Sequence, residues 1–257
     1  MLNWLQVVRQ MMATELIAFL VIFLAMFIRT LSGFGSALLS VPLLSLLYGA
    51  KYAIPFIMVY ECLIDLLILA KGGMGTKEEM NRALPLLVAG LIGIPLGTQV
   101  LIVSSEELLR IVMGVALIVF SLVALLSVDL RIKREKEGFI LAGILGGFLC
   151  GSIGMPGPPM ALFLSSQGFA KQAFRRVIVI FLTIIDFLTF SYFVWMGLIT
   201  ADMLLQSMRL LLALVLGFVV GNFAFGKVDE SCFKRLVMMI TISAGMILLF
   251  SGAFSSV

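Results

Sequence analysis

Ser32-Gly33-Phe34-Gly35-Ser36 interrupts an apolar run from about residue 14 to 48, and Cys150-Gly151-Ser152-Ile153-Gly154-Met155-Pro156-Gly157-Pro158-Pro159 interrupts a second from about 138 to 167. Each run is well above the roughly 20 residues that one helical crossing of a bilayer needs. Glycine and proline at this density end a helix, so each run reads as two pieces. Six further apolar blocks can be drawn around them, at about 52 to 70, 83 to 104, 108 to 128, 172 to 198, 203 to 225 and 234 to 254.

The solvent for this surface is lipid. Of the 257 residues 62% are hydrophobic and 12% charged, with a mean hydropathy of +1.20, whereas soluble domains are about half apolar and a quarter charged. One membrane domain is expected. The first nine residues lack the pattern of a cleaved signal peptide, and Trp4, Leu5, Val8 and Met12 fall at helical spacing, which suggests a short interfacial helix before the first membrane segment. Three cysteines, Cys62, Cys150 and Cys232, imply neither a disulfide framework nor a zinc site. The absence of histidine removes the commonest general base and metal ligand, and no cofactor is expected. The net charge of +4 reads as membrane topology, with no nucleic-acid partner.

Charge placement separates a kinked crossing from a hairpin at each break. If all eight blocks cross, nine Lys and Arg face one side and eight the other, with no bias. If the two broken blocks return to the side they came from, thirteen face one side and four the other, with Arg29 inside the first hairpin. Cationic loops stay in the cytoplasm, so the second arrangement is preferred. It has six crossings, and both termini lie on the non-cytoplasmic side of the cell (inner) membrane.

The halves echo one another. Cys62-Leu63-Ile64-Asp65-Leu66-Leu67 aligns with Thr183-Ile184-Ile185-Asp186-Phe187-Leu188, and Gly93-Ile94-Pro95-Leu96-Gly97-Thr98-Gln99 aligns with Gly217-Phe218-Val219-Val220-Gly221-Asn222. Residues 1-128 thus form a first repeat, 129-137 a cytoplasmic linker and 138-257 a second repeat. One hairpin plus three crossings is an odd number, so the second copy is inverted. The expected fold is all-α and integral to the membrane, with an inverted two-fold repeat, an architecture of secondary transporters.

Interrupted backbone at membrane depth must be satisfied by protein or a wet cavity, and paired interruptions in inverted halves point to a substrate site. The arms that follow, from Ser36 and from about Pro159, would aim free N–H groups and a positive dipole end at an anion. Candidate binding residues are Ser32, Gly33, Phe34, Gly35, Ser36, Cys150, Gly151, Ser152 and Gly154, with Gln99 and Asn222 as neutral polar neighbours. Arg29 could hold an oxyanion, neutralise Asp65, or reach the interface. Asp65 and Asp186 are costly inside a bilayer and read either as coupling or gating groups or as structural ion pairs. Glu61 lies one turn before Asp65 on the same face, which favours a shared proton. Glycine pairs 93/97 and 217/221 read first as close helix packing. Arg175 and Arg176 read as topology signals.

Gly33-Phe34-Gly35-Ser36 with Pro42, its echo Gly151-Ser152-Ile153-Gly154 with Pro159, and the Gly97 and Gly221 helices together resemble the TauE/SafE sulfite-exporter family of permeases. The resemblance spans nearly the whole chain. It implies secondary transport of a small sulfur-containing anion, such as sulfite or an organosulfonate. The Pro156-Gly157-Pro158-Pro159 run departs from the family's glycine-rich pattern. Rival readings are a lipid-phosphate carrier or a non-catalytic membrane assembly protein. Substrate, coupling ion, direction and oligomeric state, including a homo-oligomer, stay open.

Overall fold

A computed structural model describes residues 2–72, 76–126, 135–166, 171–225, 227 and 230–254. Residues 73–75, most of the linker over 129-137 and the side chains of Trp4, Leu5, Val8 and Cys232 lie outside the described residues. Every regular element among the described residues is an α-helix.

The first broken block is α1, Leu2–Ser32, followed by α2, Ser36–Tyr48. The second is α6, Glu135–Ile153, followed by α7, Gly157–Ser166. Between them run α3, Ala50–Gly72, α4, Lys77–Val103, and α5, Glu106–Leu126. After them come α8, Lys171–Trp195, α9, Ala201–Arg209, α10, Leu211–Ala224, and α11, Glu230–Phe254. Among the described residues four helices are long and apolar enough to cross a membrane: Met12–Ser32, Ala50–Lys71, Ala83–Val103 and Ala173–Trp195. Counted as one broken span, the bent pair α9 and α10 makes a fifth. The protein is a multi-pass membrane protein.

Two expectations need correction. No short interfacial helix stands apart at the start, because α1 runs unbroken from Leu2 and its Met12–Ser32 part could cross by itself, so the first hairpin has one long arm and one short. The block at 203 to 225 is not one straight helix but bends by 51° at Leu210. No glycine or proline marks the bend. The Tyr60 hydroxyl donates to the Ser207 carbonyl at 2.9 Å, occupying the acceptor that Leu211 would use, and Leu210 N–H bonds Ser207 in a tighter turn.

Antiparallel return of α2 against α3 follows from two contacts. The Ser36 hydroxyl meets Glu61 far down α3, while Gly49 alone joins the two helices at their other end. There the Glu106 carboxylate accepts from Ala50 N–H at 2.6 Å and Lys51 N–H at 3.0 Å, satisfying donors that a helix start leaves open. The end of α2, the start of α3, the end of α4 and the start of α5 therefore share one side of the molecule, here the Lys51 side.

Glycines decide how the long helices pair. A Cβ on Gly93, Gly97, Gly147 or Gly151 would lie 2.1–2.4 Å from a backbone oxygen of the facing helix, so α4 and α6 touch main chain to main chain. On α10 a Cβ on Gly217 would lie 2.6 Å from Phe23 O of α1, and one on Gly221 2.8 Å from Thr30 Cβ, so these two helices also pack closely. Each hairpin's leading arm thus packs on the glycine helix of the other half. The two halves embrace reciprocally.

Candidate functional site

Both breaks are built by left-handed residues. Gly33 (φ +83°) ends α1, with its N–H on the Arg29 carbonyl at 2.8 Å, and Gly35 (φ +95°) opens α2. Gly154 (φ +68°) ends α6, with its N–H on Cys150 O at 3.1 Å. An L side chain rarely adopts such angles, which is why glycine stands there. The breaks meet: a Cβ on Gly157 would lie 3.6 Å from the Phe34 ring, and one on Gly154 3.4 Å from Val41.

Arg29 sits one turn before the first break and is 2% exposed. Its Nη1 is 3.3 Å from Glu61 Oε2, and its Nη2 donates to Asp65 Oδ1 at 2.5 Å and to Asp186 Oδ2 at 3.2 Å. One guanidinium from α1 therefore ties two acids of α3 to one of α8, all four side chains being buried. Ser36 extends the network by donating to Glu61 at 2.7 Å. On the other flank Cys150 Sγ donates to Asp186 Oδ1 at 3.5 Å, and Thr189 Oγ1 donates to Cys150 Sγ at 3.2 Å. A chain of polar contacts thus links the first hairpin to the second through α3 and α8. It is unfinished: Arg29 Nε, Glu61 Oε1 and Asp65 Oδ2 are buried without a hydrogen-bond partner.

A small cavity lies at this junction, lined by Arg29, Gly35, Glu61, Gly154, Gly157 and Asp186 among others. It offers about 10 Å³ to water centres, the space of one water molecule. The conformer is closed, with no room for a sulfur oxyanion.

Other residues chosen from sequence fall differently. Ser32 donates to Ile28 O at 2.8 Å and to Phe34 O, and Ser152 donates to Phe148 O at 2.7 Å, so both hydroxyls serve the backbone of their own turns. Gly151 is packed against α4. Asn222 is half-buried and bonds Phe218 O of its own helix. Gln99 is exposed and apart from the cavity, because Gly97 and Thr98 take the face of α4 that meets α6. Pro42 lies inside α2 and not at its start. In α7 the residues after Gly157 are Pro158 and Pro159, which have no N–H, so the second arm offers fewer backbone donors than Ser36 and Ala37 do in the first.

Arg175 is more than a topology signal. It reaches from α8 to the first hairpin's turn, where its Nη2 donates to Thr30 O at 3.0 Å and its guanidinium lies 4.4 Å over the Phe225 ring. Its neighbour Phe174 meets Phe34 edge-on at 6.3 Å. Phe34, Phe174, Arg175 and Phe225 together cover the tip of the first hairpin. Only the three-dimensional path of α1 and α10 reveals this, since nothing local in 171–176 points to it.

Two helix breaks meeting at a buried ionic cluster, in an apolar bundle, define a multi-pass membrane protein with a charged, interrupted interior. The chain belongs to the sulfite exporter TauE/SafE family, whose sequence profile matches residues 18–248. It is similar to the probable sulfite/organosulfonate exporter TauE of Cupriavidus necator, with 21% identity over 229 residues, covering 85% of this chain and 87% of the relative. No solved structure matches it.

Proposed function

We propose that the protein is a secondary transporter that moves a small sulfur-containing anion, such as sulfite or an organosulfonate, across the cytoplasmic membrane with ion or proton coupling. The observation that carries this reading is Arg29, a buried guanidinium with an unpartnered Nε, held where the two breaks touch. Guanidinium matches the planar or pyramidal face of an oxyanion, and the uncapped start of α2 adds Ser36 and Ala37 N–H groups beside it. Glu61, Asp65 and Asp186 hold the guanidinium when no substrate is present. They are the coupling groups. The relative's printed name, a sulfite/organosulfonate exporter, supports the substrate class.

The proposed architecture is an inverted two-fold repeat, residues 1-128 and 138-257, with both termini on the non-cytoplasmic side. Its support is the reciprocal packing of α1 on α10 and of α6 on α4, together with Asp65 and Asp186 meeting through Arg29. The closed cavity is one stage of alternating access, and the cover over the first hairpin is its gate on the Arg175 side. The test is uptake of radiolabelled sulfite and 2-hydroxyethanesulfonate by proteoliposomes. Wild-type protein takes up at least one of them, and Arg29→Gln abolishes uptake; no uptake by wild type defeats the reading.

A lipid-phosphate carrier is the second reading. A groove of about 390 Å³ between α4 and α8, lined by Leu91, Ile94, Pro95, Leu188, Ser191, Tyr192 and Trp195, would suit a tail. It shares no lining residue with the Arg29 cavity, so a headgroup at Arg29 and a tail in the groove lack a common path.

A further inference from the structure

Three carboxyl groups surround one guanidinium in a cavity with space for one water. The titratable groups facing it come from four helices: Arg29 of α1, Glu61, Cys62 and Asp65 of α3, Cys150 of α6 and Asp186 of α8. From α2 come Ser36, Ala37 and Leu38 and from α7 Gly157 and Pro158, none of them charged. All four charged side chains are at most 3% exposed. A buried charge is tolerated when paired and costly when unmatched. Arg29 can match one carboxylate, so a cluster without net charge requires a proton on each of the other two acids.

We infer that the substrate is a singly charged oxyanion which displaces the one carboxylate paired with Arg29, and that this carboxylate takes up one proton as the anion binds. The exchange balances. Hydrogen bonds donated by Arg29 pass from a carboxylate oxygen to an oxygen of the anion, the carboxylate takes a proton from the water on the side the anion enters and becomes a carboxylic acid, and the cluster with its passenger is again neutral. Arg29 Nε, buried at the cavity without a partner, is the donor already free to receive the incoming oxygen. A dianion such as sulfate leaves one charge unmatched, because only one carboxylate remains to be protonated. Anion and proton therefore travel together, one for one, and their joint passage moves no net charge. This rests on the transport reading and adds to it a charge rule for the substrate and a fixed stoichiometry.

Full-length protein in proteoliposomes with a trapped pH dye and radiolabelled 2-hydroxyethanesulfonate tests it, since that sulfonate stays ionised at all working pH values. The expected result is lumenal acidification of about one proton per anion, and an initial rate that changes by less than about twofold when a potassium gradient with valinomycin sets either sign of potential. Sulfate enters at least about tenfold more slowly. Glu61→Gln, Asp65→Asn and Asp186→Asn, each made singly, keep about one proton per anion because a paired carboxylate remains, whereas the triple variant binds the anion without a proton. Anion entry without acidification, a rate that follows the potential, or sulfate entering as fast as the sulfonate overturns the exchange and leaves transport standing. No entry of sulfonate or sulfite at all removes the transport reading, and this inference with it.

Discussion

Gly97→Ala puts the closest helix contact under test. A Cβ there would lie 2.1 Å from Phe148 O, 2.9 Å from Phe148 C and 2.9 Å from Ser152 N, all backbone atoms that no rotamer change can move aside. Ordinary contact begins at 3.4 Å, so α4 and α6 must separate by about 1.3 Å at that level. The displaced stretch of α6 carries Cys150, whose thiol supports Asp186 from one residue before Gly151. Overpacking of this kind costs about 1–3 kcal/mol, which for a chain of this size lowers the melting temperature by roughly 2–10 °C. Thermal unfolding in detergent reads the loss, and uptake by proteoliposomes reads the effect on the site. Gly157→Ala is the control: its Cβ would meet Phe34 at 3.6 Å, ordinary contact, and it should unfold within about 2 °C of wild type. A Gly97→Ala protein as stable and as active as wild type would refute main-chain contact between α4 and α6.

Four further outcomes follow from the same geometry. Arg29→Gln leaves three buried acids without a cation and lowers stability by about 3–5 kcal/mol, with part regained in Arg29→Gln/Asp65→Asn, while neither variant transports; melting curves of both decide it. Cys150→Ala takes a donor from Asp186 and slows uptake several-fold, about 1 kcal/mol for a lost hydrogen bond, whereas Cys150→Ser retains it; initial rates of the pair separate donor loss from packing loss. Arg175→Ala releases the cover over the first hairpin, so Ala37→Cys, at the cavity wall, reacts with a membrane-impermeant thiol reagent several-fold faster from the Arg175 side; equal labelling rates would deny the gate. Gln99→Ala keeps uptake within about twofold of wild type, as expected for an exposed side chain outside the cavity, and a larger loss in that assay would put Gln99 back in the path.

What the sequence made legible was whatever breaks an apolar background. Arg29, Glu61, Asp65 and Asp186 are conspicuous as charges within hydrophobic runs, and the breaks at Gly33 to Gly35 and Gly154 to Pro156 as clusters of helix breakers. The sequence offers Asp65 as one of three destinations for Arg29; the structure brings Glu61 and Asp186 to it as well. What stayed hidden depends on contacts between distant segments. The bend at Leu210 is made by a hydroxyl from Tyr60, more than a hundred residues away. Arg175 looks like any loop cation until α1 and α10 are seen to end beneath it. Gln99 and Asn222 follow paired glycines, but position along a helix does not decide which way a side chain points.

The crossed embrace of the halves has a bearing on how the protein can be made. Because, among the described residues, the glycines of α10 meet α1 and those of α4 meet α6, neither half expressed by itself possesses the surface its leading arm packs on. The early arm must therefore wait in the lipid, with Phe23, Met26 and Phe27 facing no mate, until the late helix of the second half arrives during insertion.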